Sequence, residues 1–515
     1  MDVLIFHAYL LLGTGSNVYN AELAQALAKL GHDVHLFCQD RHASELDWVS
    51  EVGTWLDGEL SVEQLRDPPG TGGITAYLPD IAGLLPVFVH DSYEGFEVKT
   101  YPELSEAELD RYLDRNISAV RDVAERCGTI GAALANHLVM GPVICARAGL
   151  EFAAKVHGSD LSYTVRPHPE RFVPFAREGM EAASAALVGS LHTARDLWET
   201  VGLEGLEERT RLGPPGVDIE VFRPLPDEEA TGRLRSLAAA LESAGDGGDD
   251  FGRDAAEGAR AVEWFADAEG PRVLFVGKFL VNKGVDLLLA AWPLVVREHP
   301  QARLMITGFG AFREGLNRLW DALSEGDIDA AAAVAARGRG LESGGEDEPL
   351  RFLGRFLAEP PNGYADAARA AAGSVAVSGR LDHSEVAMVC PAVDSLVMPS
   401  TFPEAFGMVA AEAAACGALP VSAAHSGMKE VSEALAQAVE PEIARLLSFS
   451  LEDDPVSAIA ERLIAWLAIE PERRREIGAA LAQRIAELWS WESVAAGVIA
   501  ASAGDLADLP RPAPE

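Results

Sequence analysis

Positive charge is what this 515-residue chain has least of. It carries 42 Lys and Arg against 80 Asp and Glu, a formal net charge of −38. Nucleic-acid affinity rests on clustered Lys and Arg meeting phosphates, so the balance argues against a general nucleic-acid binder while leaving room for a local basic pocket. The same deficit argues against an anionic membrane surface as the main partner. Lysine is the scarcest cation, present only as Lys29, Lys99, Lys155, Lys278, Lys283 and Lys429. Cysteine is equally sparse. Cys38, Cys127, Cys145, Cys390 and Cys416 are an odd set, widely spaced and without a C-x-x-C pair. That argues against a disulfide framework or zinc ribbon and makes a reducing compartment the expectation. No apolar run is long enough to cross a bilayer. The opening MDVLIFHAYLLLGTG lacks the positive flank of a signal peptide and reads as a buried strand. These absences lead to the expectation of a soluble, cytoplasmic protein with no transmembrane segment and no nucleic-acid partner.

What is present is a strong apolar content, 48% of residues, enough for substantial cores. At this length two large α/β domains fit. Val3 to Phe6 is a continuous apolar run of the kind buried in a parallel sheet. Gly13-Thr14-Gly15-Ser16 breaks it, Ala21 to Leu30 has helical spacing ending at Gly31, and Val34 to Phe37 is the next strand. This βαβ opening implies a doubly wound sheet. Strands follow at Ile130 to His137, Phe152 to Val156 and Ala185 to Gly189, and Gly213-Pro214-Pro215-Gly216 forms a rigid joint. Residues 227–270 are acidic and poor in large apolar side chains, centred on Gly245 to Asp250, and read as a loose or partly helical insert. A second α/β series begins with Val273 to Gly277, a helix over Val285 to Val296, and Leu304 to Gly308. An alanine-rich helical insert spans 313–372, with a break near Gly344. Strands resume at Val375 to Val377, Ser395 to Met398 and Leu419 to Ser422, and the chain ends in a helical tail and Pro-rich disorder. The expected domains are 1–213, 214–488 with inserts 227–270 and 313–372, and a final helix at 489–505.

Several motifs bear on chemistry. Gly13-Thr14-Gly15-Ser16-Asn17-Val18 is a glycine turn in front of a helix, compatible with a bare tight turn or a phosphate cradle. Val18 stands where a dinucleotide fingerprint needs its third glycine, although Asp40 lies where a ribose-binding acid would. Lys278 follows a strand and Lys283 precedes Gly284 at a helix start. Two ammonium groups there would hold a diphosphate through charge-assisted bonds; the alternative is two solvated loop lysines. Glu404 falls in the loop after Ser395 to Met398, and Glu412 on a helix over Ala410 to Cys416. Eight helical steps would separate them by about 12 Å at most. The apolar surroundings of Glu412 predict burial, and a buried carboxylate needs a partner. His157 opens His157-Gly158-Ser159-Asp160 at a strand end, placed for a ligand or for a structural role. Asp327-Ile328-Asp329 sits within the helical insert and reads as a solvated helix face.

Taken in order, these pieces resemble the retaining family-4 (group 1) glycosyltransferases. The resemblance rests on Leu27 to Val34 after the glycine turn, His157 to Asp160, Pro215-Gly216-Val217-Asp218 with Phe222 and Pro224, Lys278 with Lys283, and Glu404 seven residues before Glu412. Trp489-Ser490-Trp491-Glu492 is similar to the family's final helix. The resemblance implies an α/β fold of two doubly wound Rossmann-like domains (GT-B) facing each other across a cleft. It implies a metal-independent transferase, hexosyl by expectation, that takes a nucleotide-diphosphate sugar as co-substrate. The acceptor is a small molecule or glycan, and there is no cofactor and no metal. His157, Lys278, Lys283 and Glu404 would be catalytic. Gly13, Gly15, Lys278, Lys283, Phe406, Gly407, Met408, Val409 and Glu412 would bind the donor, Glu412 at the ribose and Glu404 at the transferred sugar. Many members carry arginine where this chain has Lys278, which keeps the charge but loses the bidentate fork. Loops Asp91 to Lys99 and Arg166 to Arg171 are candidates for acceptor contact, the alternative being plain surface loops. The alternatives are an NAD-dependent oxidoreductase and a non-catalytic nucleotide-sugar binder of the same fold.

Overall fold

The computed structural model describes residues 1–13, 15–68, 70–89, 93, 95–244, 253–342 and 346–512. Thr14 of the glycine turn, the acidic centre Gly245 to Asp250, Gly344, the start of the loop at Asp91 and the last three residues lie outside the described residues. The chain divides into two compact units. One comprises Met1–Gly216 with Trp489–Glu515, the other Val217–Leu488.

The first unit is built on strands β1 (Asp2–Phe6), β2 (Asp33–Phe37), β3 (Glu51–Leu56), β4 (Glu59–Gln64), β5 (Ile74–Leu78), β6 (Leu84–Val87), β7 (Glu97–Thr100), β8 (Ala132–Asn136), β9 (Ala153–Val156), β10 (Ala185–Val188) and β11 (Thr210–Leu212). Nine of them form one sheet in the order β11-β10-β9-β8-β1-β2-β5-β3-β4, while β6 pairs with β7. All pairs in the large sheet are parallel except β3 with β4. Burial on both faces explains why β10 is wholly apolar and why β1 and β8 are apolar but for one end residue each, while β9 buries Lys155 among apolar neighbours. Strands β3, β4 and β7 carry no such run, and none of β3 to β7 was read from the sequence, although β5 and β6 are buried and largely apolar. Gly53 of β3 faces the Tyr77 ring of β5 closely enough that an added Cβ would collide with it.

The final helix, Trp491–Ser502, packs on this sheet. Ser502 Oγ accepts from Ala133 N (2.8 Å), Ser184 Oγ donates to Ala501 O (2.8 Å), and the Trp491 and Tyr19 rings lie 5.6 Å apart. The Pro-rich tail is not simply disordered: Pro510 O accepts from Leu212 N at 2.8 Å. Leu212 lies on edge strand β11, whose N–H needs an acceptor, and a proline carbonyl can supply one.

The second unit contains β12 (Arg272–Val276), β13 (Arg303–Thr307), β14 (Val375–Gly379), β15 (Ser395–Met398), β16 (Leu419–Ala423) and β17 (Ser448–Phe449). They form an all-parallel sheet in the order β14-β13-β12-β15-β16-β17. Counted from β12 this is 3-2-1-4-5-6, the dinucleotide-fold order, with its switch point between β12 and β15. Helix Val285–Glu298 is apolar nearly all round and correspondingly buried. Its Trp292 donates Nε1–H to Ser374 Oγ at 2.8 Å, and its Ala290 O accepts from Tyr364 OH at 2.6 Å.

Both inserts are helical. The stretch read as loose or partly helical forms helices Asp227–Ala244 and Ala255–Ala266. Ala230, Leu234, Leu237 and Leu241 are buried at alternating spacings of four and three, a stripe of small and medium side chains that a search for large apolar residues passes over. Arg253 ties the insert to Asp382 (3.2 Å) and Glu385 (2.6 Å). The second insert forms helices Arg313–Glu325, Ile328–Arg337, Arg351–Ala358 and Tyr364–Ala370. Asp327 is the N-cap of the second of these, accepting from Ala330 N at 2.9 Å.

Asp286, in the first turn of helix Val285–Glu298, is 3% exposed, and burial pushes its carboxyl up to about 7 against the pull of two backbone N–H groups. A raised carboxyl holds its proton in the folded state where the unfolded chain has lost it. Stability therefore falls as pH climbs from about 4 to about 7. Three pKa units correspond to about 4 kcal/mol. Asp286→Asn cannot ionise and should escape this loss, gaining up to a few kcal/mol on wild type by pH 8 and little at pH 4.5. Denaturant midpoints at the two pH values check this; a variant that tracks wild type at both would show that Asp286 stays ionised.

Candidate functional site

In a parallel sheet the ligand crevice lies beyond the strands' C-terminal ends, at the switch point. In the second unit these ends carry nearly all the charged residues singled out from the sequence. Lys278 lies two residues beyond β12, with Nζ 5.7 Å from the centre of the Phe309 ring, which follows β13. Arg380, just after β14, brings its guanidinium to 5.9 Å from the same ring. The loops touch backbone to backbone here: Gly308 has φ of +151°, and a Cβ on it would collide with Gly277 O.

Lys283 ends a short turn closed by Gly284, whose φ is +67° and whose missing side chain leaves room for Pro399 O. Its ammonium is ion-paired with Glu404 Oε1. Ser400 Oγ donates to the same carboxylate oxygen at 2.9 Å, and Glu404 N donates to Ser426 Oγ at 2.9 Å. Thr401 N donates to Asn282 O at 2.9 Å, joining the lysine loop to the glutamate loop. Glu342, from the second insert, accepts from Val281 N at 2.8 Å and so braces the lysine loop.

The helix after this loop is Met408–Ala415, beginning two residues before the expected Ala410. Phe406 and Gly407 lead into it, and Met408 and Val409 form its first turn, where backbone N–H groups lack helical partners and attract anions. Glu412 is 3% exposed, as its apolar setting requires, and its partner is His383: Nε2 lies 2.7 Å from Glu412 Oε1. The His383 ring sits 5.1 Å from that of Phe222. Neither Arg380 nor His383 was singled out from sequence. The available signal was position: Arg380 directly follows strand β14, and His383 opens the helix four residues beyond it.

The first unit's sheet edge is lined with histidine. Strands β9, β8 and β1 are neighbours, and each is followed at once by a histidine: His157, His137 and His7. Only His157 was singled out from sequence. A chain of amides connects two of the three. Asn17 Nδ2 donates to Leu12 O (2.7 Å), which turns its Oδ1 toward His7 Nε2 (3.1 Å). Asn20 Nδ2 donates to Ser16 O (2.8 Å) and reaches His7 Nδ1 (3.0 Å). Asn136 Nδ2 donates to Phe6 O (3.2 Å) and to Asn20 Oδ1 (2.7 Å), so its own Oδ1 faces His157 Nε2 at 2.8 Å. Each amide is oriented by a backbone carbonyl, which assigns the ring protons. His157 carries hydrogen on Nε2 and presents Nδ1 as an acceptor. Burial, then His137 and Lys155, holds its pKa well below the usual histidine value, so it is neutral. His7 is pushed down to about 4 by burial.

His137 is 3% exposed, packed 4.6 Å from the Phe88 ring and 4.8 Å from His157, and among the described residues neither of its ring nitrogens has a hydrogen-bond partner. Asp160 accepts from Leu138 N (2.5 Å), Gly158 N (2.9 Å) and Leu161 N (2.9 Å), shaping the loop after His157. Lys155, also buried, donates to Gly213 O at 2.5 Å, and burial lowers its pKa to about 7. Gly13 has φ of +95° and Gly15 opens helix Gly15–Lys29. Asp40 is committed to structure: its two oxygens accept from Leu11 N and His42 N, both at 2.9 Å. Buried and holding two backbone N–H groups, it is accounted for by a structural role.

Two sequence-family models, both described as "Glycosyl transferases group 1", match residues 270–338 and 366–483. A GDP-mannose-dependent monoacylated α-(1-6)-phosphatidylinositol monomannoside mannosyltransferase of Corynebacterium glutamicum is 23% identical over 82% of this chain and 92% of its own length. A D-inositol 3-phosphate glycosyltransferase of Xylanimonas cellulosilytica is 27% identical over 54% of this chain; the match spans about half (49%) of that relative. Among solved structures, HepE of Anabaena in complex with UDP and glucose superposes with a TM-score of 0.54 at 14% identity, covering 99% of this chain and all of that one. That likeness bears on the fold, two Rossmann-like units in the GT-B manner.

Asn136 is the link that sets His157. Asn136→Ala removes the acceptor for its Nε2–H, a bond worth about 1 kcal/mol plus the cost of an orphaned buried donor, about 1–3 kcal/mol. The variant should lose about 1–3 kcal/mol of stability, read from denaturant midpoints. An unchanged midpoint would show that the His157 Nε2–H finds another acceptor.

Proposed function

We propose that this group 1 glycosyltransferase of the GT-B fold moves a hexose from a nucleoside-diphosphate sugar to an acceptor hydroxyl, with retention of anomeric configuration and without a metal. The observation that carries the reading is the joining of Lys283 to Glu404 at the switch point of the second unit's sheet, with Lys278 on the same loop as Lys283 and the first turn of helix Met408–Ala415 following the glutamate loop. Breaking a glycosyl–phosphate bond puts negative charge on the leaving diphosphate and positive charge on the sugar. Fixed cations and helix N–H groups stabilise the first, and a carboxylate the second. In this reading Lys278 and Lys283 meet the diphosphate, taking the place that a metal ion holds in other transferases. Phe406, Gly407, Met408 and Val409 offer backbone N–H groups, and Glu412 holds the ribose hydroxyls. Gly13 and Gly15 allow a close approach of backbone to the ligand. The acceptor attacks on the face the diphosphate leaves, and the departing phosphate takes its proton. His157, neutral with Nδ1 as acceptor, suits a sugar hydroxyl and not an anion. The two curated relatives act, by name, on inositol-containing acceptors, which fits a polyol hydroxyl as the nucleophile.

Two glutamates separate the roles. Glu412→Ala removes contacts made equally in ground and transition states, each charged hydrogen bond being worth about 1.5–3 kcal/mol. KM for the donor should rise at least about tenfold, with nucleoside diphosphate binding weakened in step. Glu404→Gln keeps size but loses charge beside the reacting sugar, so kcat should fall about a hundredfold or more while nucleoside diphosphate binding holds. Circular dichroism must first show both variants folded. An intact kcat in Glu404→Gln would place the sugar elsewhere.

Metal independence has its own check. Turnover assayed well below the melting temperature should survive exhaustive chelation, and a loss reversed only by Mg²⁺ or Mn²⁺ would overturn that part of the proposal.

A further inference from the structure

Away from the histidine edge, three side chains of different chemistry converge in the first unit. Asp2 opens β1, His35 lies in the middle of β2, and Cys127 ends helix Glu106–Cys127. His35 Nε2 is 3.0 Å from Asp2 Oδ1 and 3.3 Å from Cys127 Sγ, and the three donor atoms all lie within 4.8 Å of one another. A catalytic Cys-His-Asp relay would need the thiol and the carboxylate on opposite ring nitrogens. Here the carboxylate meets Nε2, and the thiol lies closer to that same nitrogen (3.3 Å) than to Nδ1 (3.8 Å). That nitrogen can give a single proton to only one of them well, whereas a metal ion bonds all three atoms at once.

We propose that Asp2, His35 and Cys127 form a binding site for one divalent cation of the zinc class. Carboxylate oxygen, imidazole nitrogen and thiolate sulfur are the ligand types Zn²⁺ takes, at about 2.0–2.3 Å in a tetrahedron. Those bond lengths place neighbouring ligand atoms about 3.3–3.7 Å apart. The two short distances here need to open by only a few tenths of an ångström. The Asp2 carboxylate and the Cys127 thiolate together balance a dication, and the thiol proton leaves to solvent on binding. His35 Nδ1 lies 3.3 Å from Tyr77 OH, the outer partner that holds a ligating imidazole in its tautomer and orientation. The His35 side chain is 10% exposed and that of Asp2 36%, so one face is open to water, which supplies the fourth ligand.

The site ties two strands and a helix together near the start of the sheet. From Asp2 to His7 is five residues of extended chain, about 16 Å. The cation therefore takes no part in the transfer chemistry; it would clamp the fold of the first unit.

The test uses the full chain, reduced with a phosphine and free of added thiols, and Co²⁺ as the probe. Cys38, Cys145, Cys390 and Cys416 are buried, so Cys127 is the thiol within reach. The expected result is a thiolate-to-cobalt charge-transfer band with the intense visible bands of a tetrahedral ion. It should saturate near one equivalent, be bleached by Zn²⁺, and be matched by a rise in Tm with Zn²⁺. Cys127→Ser, close in size, should lose the charge-transfer band, and Asp2→Asn should weaken binding at least tenfold while circular dichroism is unchanged. Absence of the band in the wild-type chain, or its persistence in Cys127→Ser, would overturn the proposal. The cluster would then be an ion pair with a neighbouring thiol.

Discussion

Parallel strand direction is the constraint on which the rest depends. A parallel sheet delivers the C-terminal residue of every strand to one edge, and where the winding reverses the loops part and leave that edge open. Both units are built this way. In the second, Lys278, Arg380 and Glu404 follow three different strands, yet all lie at the same edge because those strands run the same way. In the first, His7, His137 and His157 are brought together by the same geometry from positions separated by up to 150 residues of chain.

The two edges differ in their electrostatics. That of the second unit is ionic and bound together: the Lys283–Glu404 pair, Ser400 on the same oxygen, Glu342 on the lysine loop, and the His383–Glu412 pair beneath. Fixed charges of this kind suit a ligand that is charged or becomes so during reaction. The edge of the first unit is neutral. Its histidines are held deprotonated by burial, and its amides hand one ordered set of hydrogen bonds from His7 to His157. Such an edge suits hydroxyl groups, which donate and accept without carrying charge.

The inserts show what local patterning hides. Residues 227–244 are dominated by acidic and small side chains, and only the buried positions Ala230, Leu234, Leu237, Ala238 and Leu241 on one side of the helix show that the segment packs. Glu342 could not be read as a brace for the lysine loop from its sequence neighbours, because its partner, Val281 N, is 61 residues away. Strands β3 to β7 escaped notice for a related reason. Of these, β3, β4 and β7 are short, partly exposed and mixed in composition, and it is pairing with the strands beside them that makes them strands; β5 and β6 are buried and were passed over.

By itself the sequence determined the fold class, the two-series rhythm, the absence of long apolar helices, and which lysines and glutamates stand at strand ends. These properties are local: apolar runs mark buried parallel strands, glycines mark the turns after them, and a chain with six lysines that places two of them five residues apart draws attention to both. Only the tertiary structure decided the partners. It set His383 against Glu412, assigned the proton of His157 through Asn136, committed Asp40 to backbone N–H groups, and brought Cys127 to His35 and Asp2. A hydrogen bond or a ligand set depends on where two or three atoms lie within a few tenths of an ångström, and those positions are set by packing between elements far apart in the chain.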